Sequence, residues 1–347
     1  MTGLAALHAL ADELDDLAQR SNAPASAFWP AQSAWFRARP ELEPHAVTVY
    51  DGDQLVGSAV LARQRQRGVW RVTGAGTPGE PFAMPIASPA VAYRLAHAIH
   101  AELRAWSGRW KLRLTDLPVA DPVVDALAQL LPETEREHAE DEPCLCFDGQ
   151  SPVNHYLSRN VRSAVAKARN RVAAAGHGID LHWWHTPDRI AARIEEIVDV
   201  RSARSRQLHR ATSSGAELAT FTGTIVNQAR AGRGRLLEVR IDDQLAAYAM
   251  CFLTGGRLWV YSNVVSPDFT RFSAGTIANA EVVRYAHDEP AVRSLSWGRG
   301  VQRYKMSGPV TLIGCQALTA WSSPATRQLL TIGRTARQTL NHLKLSS

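Results

Sequence analysis

Lys305 is one of only four lysines in a chain of 347 residues, the others being Lys111, Lys167 and Lys344. It closes the run Arg299-Gly300-Val301-Gln302-Arg303-Tyr304-Lys305, which follows the apolar stretch VRSLSWG. A fixed cation of this kind lowers the barrier when negative charge grows on a carbonyl oxygen. Tyr304 beside it offers a flat face to an acyl chain or an adenine ring. Lys305 and Tyr304 are thus the candidate catalytic pair, and Arg299 and Arg303 are candidate contacts to an anionic donor. An exposed cation next to a core tyrosine is the plainer account of the same residues.

The turn DFTRFSAGT, Asp268 to Thr276, precedes an apolar helical pattern. Backbone N–H groups at such a helix start bind phosphate. Arg271, Ser273, Gly275 and Thr276 are the candidate donor-binding residues here. Ser273 also suits the N-cap of that helix, and both roles are compatible. Phe272 adds bulk to the turn.

A third group lies on a helix expected from about Pro152 to Ala175. Val161, Ala164, Val165, Ala168 and Val172 fall on one stripe. Arg159, Arg162, Lys167, Arg169 and Arg171 cover the remainder, and no acid lies between Asp148 and Asp180. These five cations are candidate contacts to an RNA phosphate backbone; a plain amphipathic surface helix is the alternative. Arg201 to Arg210 adds four more arginines, for an acceptor site or for the same basic surface. No general base stands out: His209 and Asp268 are isolated. No metal site, P-loop, dinucleotide fingerprint or nucleophile elbow is present in the sequence.

These groups all lie in the basic half of the chain. Residues 1–150 hold 13 Lys/Arg against 20 Asp/Glu, and residues 151–347 hold 26 against 13. From Pro290 to the end there are eight Arg or Lys and no acid. The asymmetry suggests two domains, 1–150 and 151–347, of which the second meets something anionic. No apolar run approaches the roughly 20 residues that span a bilayer. Cys144, Cys146, Cys251 and Cys315 read as buried free thiols. The expectation is a protein of a reducing, cytoplasmic setting.

Both halves read as mixed α/β. VTVYDGDQLVGSAVLAR and LEVRIDDQLAAYAMCFL each give strand, acidic turn, Gln-Leu, strand, then a helix and a further strand. That echo points to a duplicated α/β unit. The spacing predicts helices over Asp188–Gln207, Glu217–Arg230, Thr276–Asp288 and Ala325–Leu343. Gly74, Gly76 and Gly79 shape either a loop at a cleft or a simple flexible turn.

The series HYLSRNVRSAVAKARNRVAAAG, then GRLLEVRIDDQLAAYAMCFLTGGRLWVYSNVVSPDFTRFSAGTIANAEVVRYA, then SLSWGRGVQRYKMS resembles the double-GNAT proteins. These include the BioF2-like group and the Fem-type aminoacyl transferases. AQSAWFRARP, DGDQLVGSAVLARQRQ, VTGAGTPGEPFAMP and LRLTDLP extend the likeness to the first half. The resemblance implies two tandem GNAT-like domains with mixed sheets. It implies a scaffolding or acceptor-side role for the first domain, and donor binding and catalysis in the second. It implies transfer of an acyl or aminoacyl group to an amine or hydroxyl, with the lysine of an aromatic–Lys pair near the reacting carbonyl. GNAT acetyltransferases place a (Q/R)-x-x-G-x-(G/A) loop where this chain has Arg271-Phe272-Ser273-Ala274-Gly275-Thr276; only Gly275 remains. The departure favours aminoacyl-tRNA over acyl-CoA as donor. A small-molecule acceptor, as in natural-product assembly, and no permanently bound cofactor complete that expectation. An acyl-CoA N-acyltransferase and a non-catalytic RNA- or nucleotide-binding protein are the alternatives.

Overall fold

The computed structural model describes residues 1–76, 80–210 and 213–332. The first half runs α1 (Leu4–Ala9), α2 (Ala11–Arg20), α3 (Trp29–Arg37), β1 (Glu43–Asp51), β2 (Gln54–Gln66), β3 (Val69–Gly74), α4 (Ala92–Ala105), β4 (Arg109–Pro118), α5 (Pro122–Leu130) and β5 (Glu133–Cys146). The second runs α6 (Val153–Tyr156), α7 (Arg159–Ala174), β6 (Ile179–Trp184), α8 (Pro187–Ala191), α9 (Ile194–Gln207), α10 (Gly215–Arg230), β7 (Gly234–Ile241), β8 (Gln244–Thr254), β9 (Arg257–Val265), α11 (Ala274–Asp288), β10 (Ser294–Ser296) and β11 (Val310–Trp321).

All eleven strands form one mixed sheet, ordered β1-β2-β3-β4-β11-β5-β10-β9-β8-β7-β6. The duplication is visible in its hydrogen bonding. β1 and β2 are antiparallel, β2 and β3 antiparallel, β3 and β4 parallel. β7, β8, β9 and β10 repeat that series. The two echoing hairpins even share a register irregularity, after Val49 in one and after Val239 in the other. Mixed α/β units in tandem are therefore the architecture.

The strands alternate sides with period two. Val49, Leu61 and Val72 pack with Leu95, Ile99 and Leu127 of α4 and α5. Val60 and Ala62 face Leu14, Leu17 and Trp35 on the other side. In the second half Val239, Ala249 and Cys251 meet α7 and α11, while Leu236, Met250 and Phe252 meet α8 to α10. β8 is covered on both faces, which is why it reads as a near-continuous apolar run. On α7, Val165, Ala168 and Val172 are buried as the stripe requires.

Local sequence sets several boundaries. Asp121 accepts from the N–H groups of Val123 and Val124, with Pro122 at the first helical position. Gly255 and Gly256 both hold positive φ, the hairpin geometry that favours glycine. Three expectations change. The helix expected over Asp188–Gln207 is two, broken where Arg193 turns its Nε to within 3.4 Å of fully buried Glu238. The helix expected from Pro152 is interrupted at Leu157, and Ser158 caps α7. Cys146, at the end of β5, is exposed, unlike the other three cysteines. Residues 324–332 are helical; the expected continuation to Leu343 lies outside the described residues, as does Gly79.

The halves interlock. β11, late in the chain, lies between β4 and β5. α10 crosses α3 so closely that a Cβ on Gly223 would be 3.1 Å from that of Ala34. Buried Gln228 donates to the Ala25 carbonyl at 2.7 Å. Arginines of the second half meet acids of the first: Arg233 with Asp15 at 3.1 Å, and Arg327 with Glu133 at 2.6 Å and Glu135 at 3.1 Å. Part of the charge asymmetry is thus complementarity within the molecule.

Candidate active site

The two repeats differ where their third and fourth strands meet. β3 pairs with β4 over Val69–Thr73, nearly its whole length. β9 pairs with β10 only over Arg257–Trp259 and then runs on to Val265. Beyond Trp259, β9 has no strand on that side among the described residues. Tyr261 is the extra residue of a bulge against β8, between the pairs Met250–Ser262 and Cys251–Val260. Bulges re-aim side chains in this way. α11 begins just past the end of β9, and the chain after β10 turns away at Gly298, which holds positive φ.

A cleft of about 1010 Å³ fills this gap. Arg201, Arg204, Ser205 and Arg210 line one wall, and Tyr261 to Val265 of β9 the floor. Ser273, Gly275 and Thr276 at the start of α11 form the far end. Arg201 lies over the Phe221 ring at 4.6 Å. Gly275 is needed for space: a Cβ there would be 2.5 Å from Val265 Cγ2. Ser273 holds φ of 57° and makes no side-chain cap. Instead Arg171 Nη1 donates to its hydroxyl at 3.1 Å and to the Arg271 carbonyl at 2.8 Å. Arg171 thereby ties α7 to the turn. Phe272 does not crowd the turn as the sequence suggests; its ring is buried in the core beneath, with His177 and Phe269. The Ser273 and Thr276 N–H groups donate to the Thr270 and Ser273 carbonyls, and Gly275 between them borders the cleft.

A smaller cavity of about 230 Å³ adjoins the cleft. Glu80, Tyr261, Ser262, Asn263 and Tyr304 line both. Lys305 lies in the smaller one and is 6% exposed. Its Nζ donates to the carbonyls of Gly298 at 3.2 Å and Arg299 at 2.7 Å. An ammonium carries three donors, so the two carbonyls leave it one N–H. Burial lowers the Lys305 pKa to about 8, although the charges of Glu140 and Glu142 act to raise it. Tyr304 takes a hydrogen bond from Asn263, and burial pushes its hydroxyl up. Trp297 stands edge-on to Tyr304 at 6.1 Å.

The structure thus brings Tyr304 and Lys305 to the inner cavity and Ser273, Gly275 and Thr276 to the cleft. Arg299 lines the inner cavity but is bonded to buried Asp116 of the first half. Arg271 folds over the Phe272 ring at 4.7 Å, and exposed Arg303 lines neither cavity. On α7, Arg162 donates to the carbonyls of Asn154 and Leu157. Arg159, Lys167 and Arg169 point to solvent. His209 and Asp268 are exposed and line neither cavity. Sequence reasoning missed Glu80, Tyr261 and Asn263. The signal for Glu80 was present: it is the one charged residue between Arg71 and Arg94.

Residues 159–306 match the model of the acetyltransferase (GNAT) domain family. The second half is thus similar to a GNAT domain. Three solved structures share the fold of nearly the whole chain. FemX is 9% identical, over 88% of this chain and 95% of that one, with a TM-score of 0.64. A conserved protein of unknown function from Bacteroides thetaiotaomicron VPI-5482 is 11% identical, over 90% and 96%, with a TM-score of 0.59. A C-terminal domain (DUF2156) assigned to a lysylphosphatidylglycerol synthetase of Agrobacterium fabrum is 11% identical, over 94% and 96%, at 0.57. At such identities the likeness is one of fold. No curated protein matches the chain in sequence. The match supports an acyltransferase, and the gap between β9 and β10 holds the cleft, with the Lys305 cavity beside it. Among the described residues no helix is long and apolar enough to cross a membrane.

Proposed function

We propose that the protein transfers an aminoacyl group from tRNA to an amine or hydroxyl of a small-molecule acceptor. The observation that carries this is the run of cations beyond the cleft. Arg204 and Arg210 line its wall, Arg171 is bonded to the turn that begins α11, and Arg159, Lys167 and Arg169 stand exposed around α7. A donor filling only the cleft has no use for the distal three. A polyanion does.

In this reading the 3′ end of the donor enters the cleft and its phosphates meet Arg204, Arg210 and the start of α11. The ester carbonyl lies by Lys305. The acceptor nitrogen or oxygen attacks the carbonyl carbon, and the oxygen's developing charge meets the Lys305 N–H. The new bond to the acceptor forms, the ester C–O bond breaks, and the acceptor's proton ends on the released ribose hydroxyl. An activated ester needs positioning more than a strong base. The second repeat carries donor and chemistry. The first closes its own gap and supplies Glu80 and Asp116 to the site.

A second reading is acyl-CoA as donor. The GNAT domain match and the buried Phe272, which leaves Gly275 and Thr276 lining the cleft, both favour it.

Replacing Arg159, Lys167 and Arg169 together by alanine separates the two. The tRNA affinity should fall about 10- to 100-fold at moderate salt. The slope of log affinity against log salt should flatten by about 2 to 3, at roughly 0.7 to 0.9 per lost phosphate contact. An unchanged slope would remove α7 from the donor site.

A further inference from the structure

We propose that a third cavity, at the seam of the two halves, is the acceptor subsite, and that it takes a primary amine carried on an apolar body, with the amine at Glu142. The proposal rests on the transfer reading and names the class of acceptor.

Place comes first. The cavity holds about 250 Å³. Its walls come from residues 21–24 and 81–86 of the first half, and from β4, β5, β9 and β11. Pro24, Pro81 and Trp259 also line the inner cavity of Lys305. Among the described residues none lines both the third cavity and the donor cleft. The Lys305 cavity therefore lies between the two, and a donor that reaches it from the cleft leaves the other side for the second substrate.

Chemistry comes second. Phe82, Met84, Ile86 and Ile313 give the cavity an apolar wall. Small-molecule sites set a few polar groups in such walls. Three carboxylates line this one. Asp116 holds Arg299, and Asp121 caps α5. Glu142 differs. It is 5% exposed and takes a hydrogen bond from the Ser296 hydroxyl, but its Oε1 takes none. Arg257 Nη1 stands 3.9 Å from that oxygen, beyond hydrogen-bond range. Its Nε is given to Ser294 at 3.1 Å. A buried carboxylate oxygen without a donor is costly. An amine N–H removes that cost with a charge-assisted bond, stronger than one from a neutral hydroxyl. Glu142 is also close enough for its charge to act on Lys305. An amine held there is near the group that meets the reacting carbonyl.

Three small probes test this without a donor: 2-phenylethylamine, 2-phenylethanol and ethanolamine. Binding to the whole protein is titrated by ligand-observed NMR at pH 7. 2-Phenylethylamine should bind at least about tenfold more tightly than the alcohol, which lacks the amine, or ethanolamine, which lacks the apolar body. Glu142→Gln, isosteric and still able to accept from Ser296, should lower the amine to the level of the alcohol and leave the alcohol unchanged. Ala83→Phe, which narrows the cavity, should abolish binding of both phenyl probes; melting curves confirm that each variant is folded. Excess tRNA or acetyl-CoA should leave the amine bound. Displacement by either would put the probe in the donor site and overturn the proposal. Equal binding of amine and alcohol, or an amine affinity unchanged by Glu142→Gln, would overturn it too. If the amine binds as expected but tRNA does not bind, the subsite stands and the tRNA reading falls.

Discussion

Lys305→Met should lower the single-turnover rate of acyl transfer about 10²- to 10³-fold while donor affinity changes less than about threefold. That is the usual effect of removing one donor from a developing oxyanion. The split matters, because Lys305 also holds the 298–299 backbone through two carbonyls. A purely structural lysine would damage binding and rate together. Titration gives a second readout. In the folded protein Lys305 titrates near about 8, against 10.5 for a free lysine. It must be protonated to stabilise an oxyanion, so the rate should fall as pH rises through about 8. A lysine acting as general base would give a rise instead. Stability moves the other way. Between about 8 and 10.5 the unfolded chain holds this proton and the folded chain does not, so stability increases with pH across that window. In Lys305→Met the increase should vanish from pH-dependent melting. The cation is kept at a cost to the fold, as expected of a group retained for chemistry.

Gly275→Ala should unfold the donor end of the cleft. In an open helix this change adds up to about 1 kcal/mol of stability. Here the new Cβ would be 2.5 Å from Val265 Cγ2, and overpacking of that kind costs about 1–3 kcal/mol. The clash outweighs the propensity gain, so the melting temperature should drop. The start of α11 must back away from β9, and donor affinity should fall about tenfold. The double variant Gly275→Ala/Val265→Ala makes room and should recover donor affinity. Failure to recover it would show that the glycine matters for something other than space.

The lining of the two cavities was unevenly legible in the sequence, and the reasons are physical. Tyr304-Lys305 and Ser273-Gly275-Thr276 were legible because each sits in a short segment whose backbone alone places it. The repeat was legible because two hairpins carry an acidic turn followed by Gln-Leu, and the structure gives both a register break. Glu80 stood out only as a lone charge; its place at the cavities depends on the first half folding against β9, which local pattern does not encode. The crossing of β11 into the first half's part of the sheet was hidden for the same reason. Charge misled in part. The excess of basic residues after residue 150 pointed to an anionic partner, yet Arg233, Arg299 and Arg327 pair with acids of the first half. Discounting those leaves α7, the cleft wall and scattered exposed arginines such as Arg189, Arg230 and Arg303. Phe272 misled by its size; only burial shows that its ring lies under the turn.

The most direct test of the account is parallel binding of the purified protein to total aminoacyl-tRNA and to acetyl-CoA across a salt series. The account predicts tRNA binding with a steep salt dependence, undiminished by excess acetyl-CoA. Binding of acetyl-CoA at micromolar concentration with no preference for tRNA would contradict it and make α7 an ordinary solvated face.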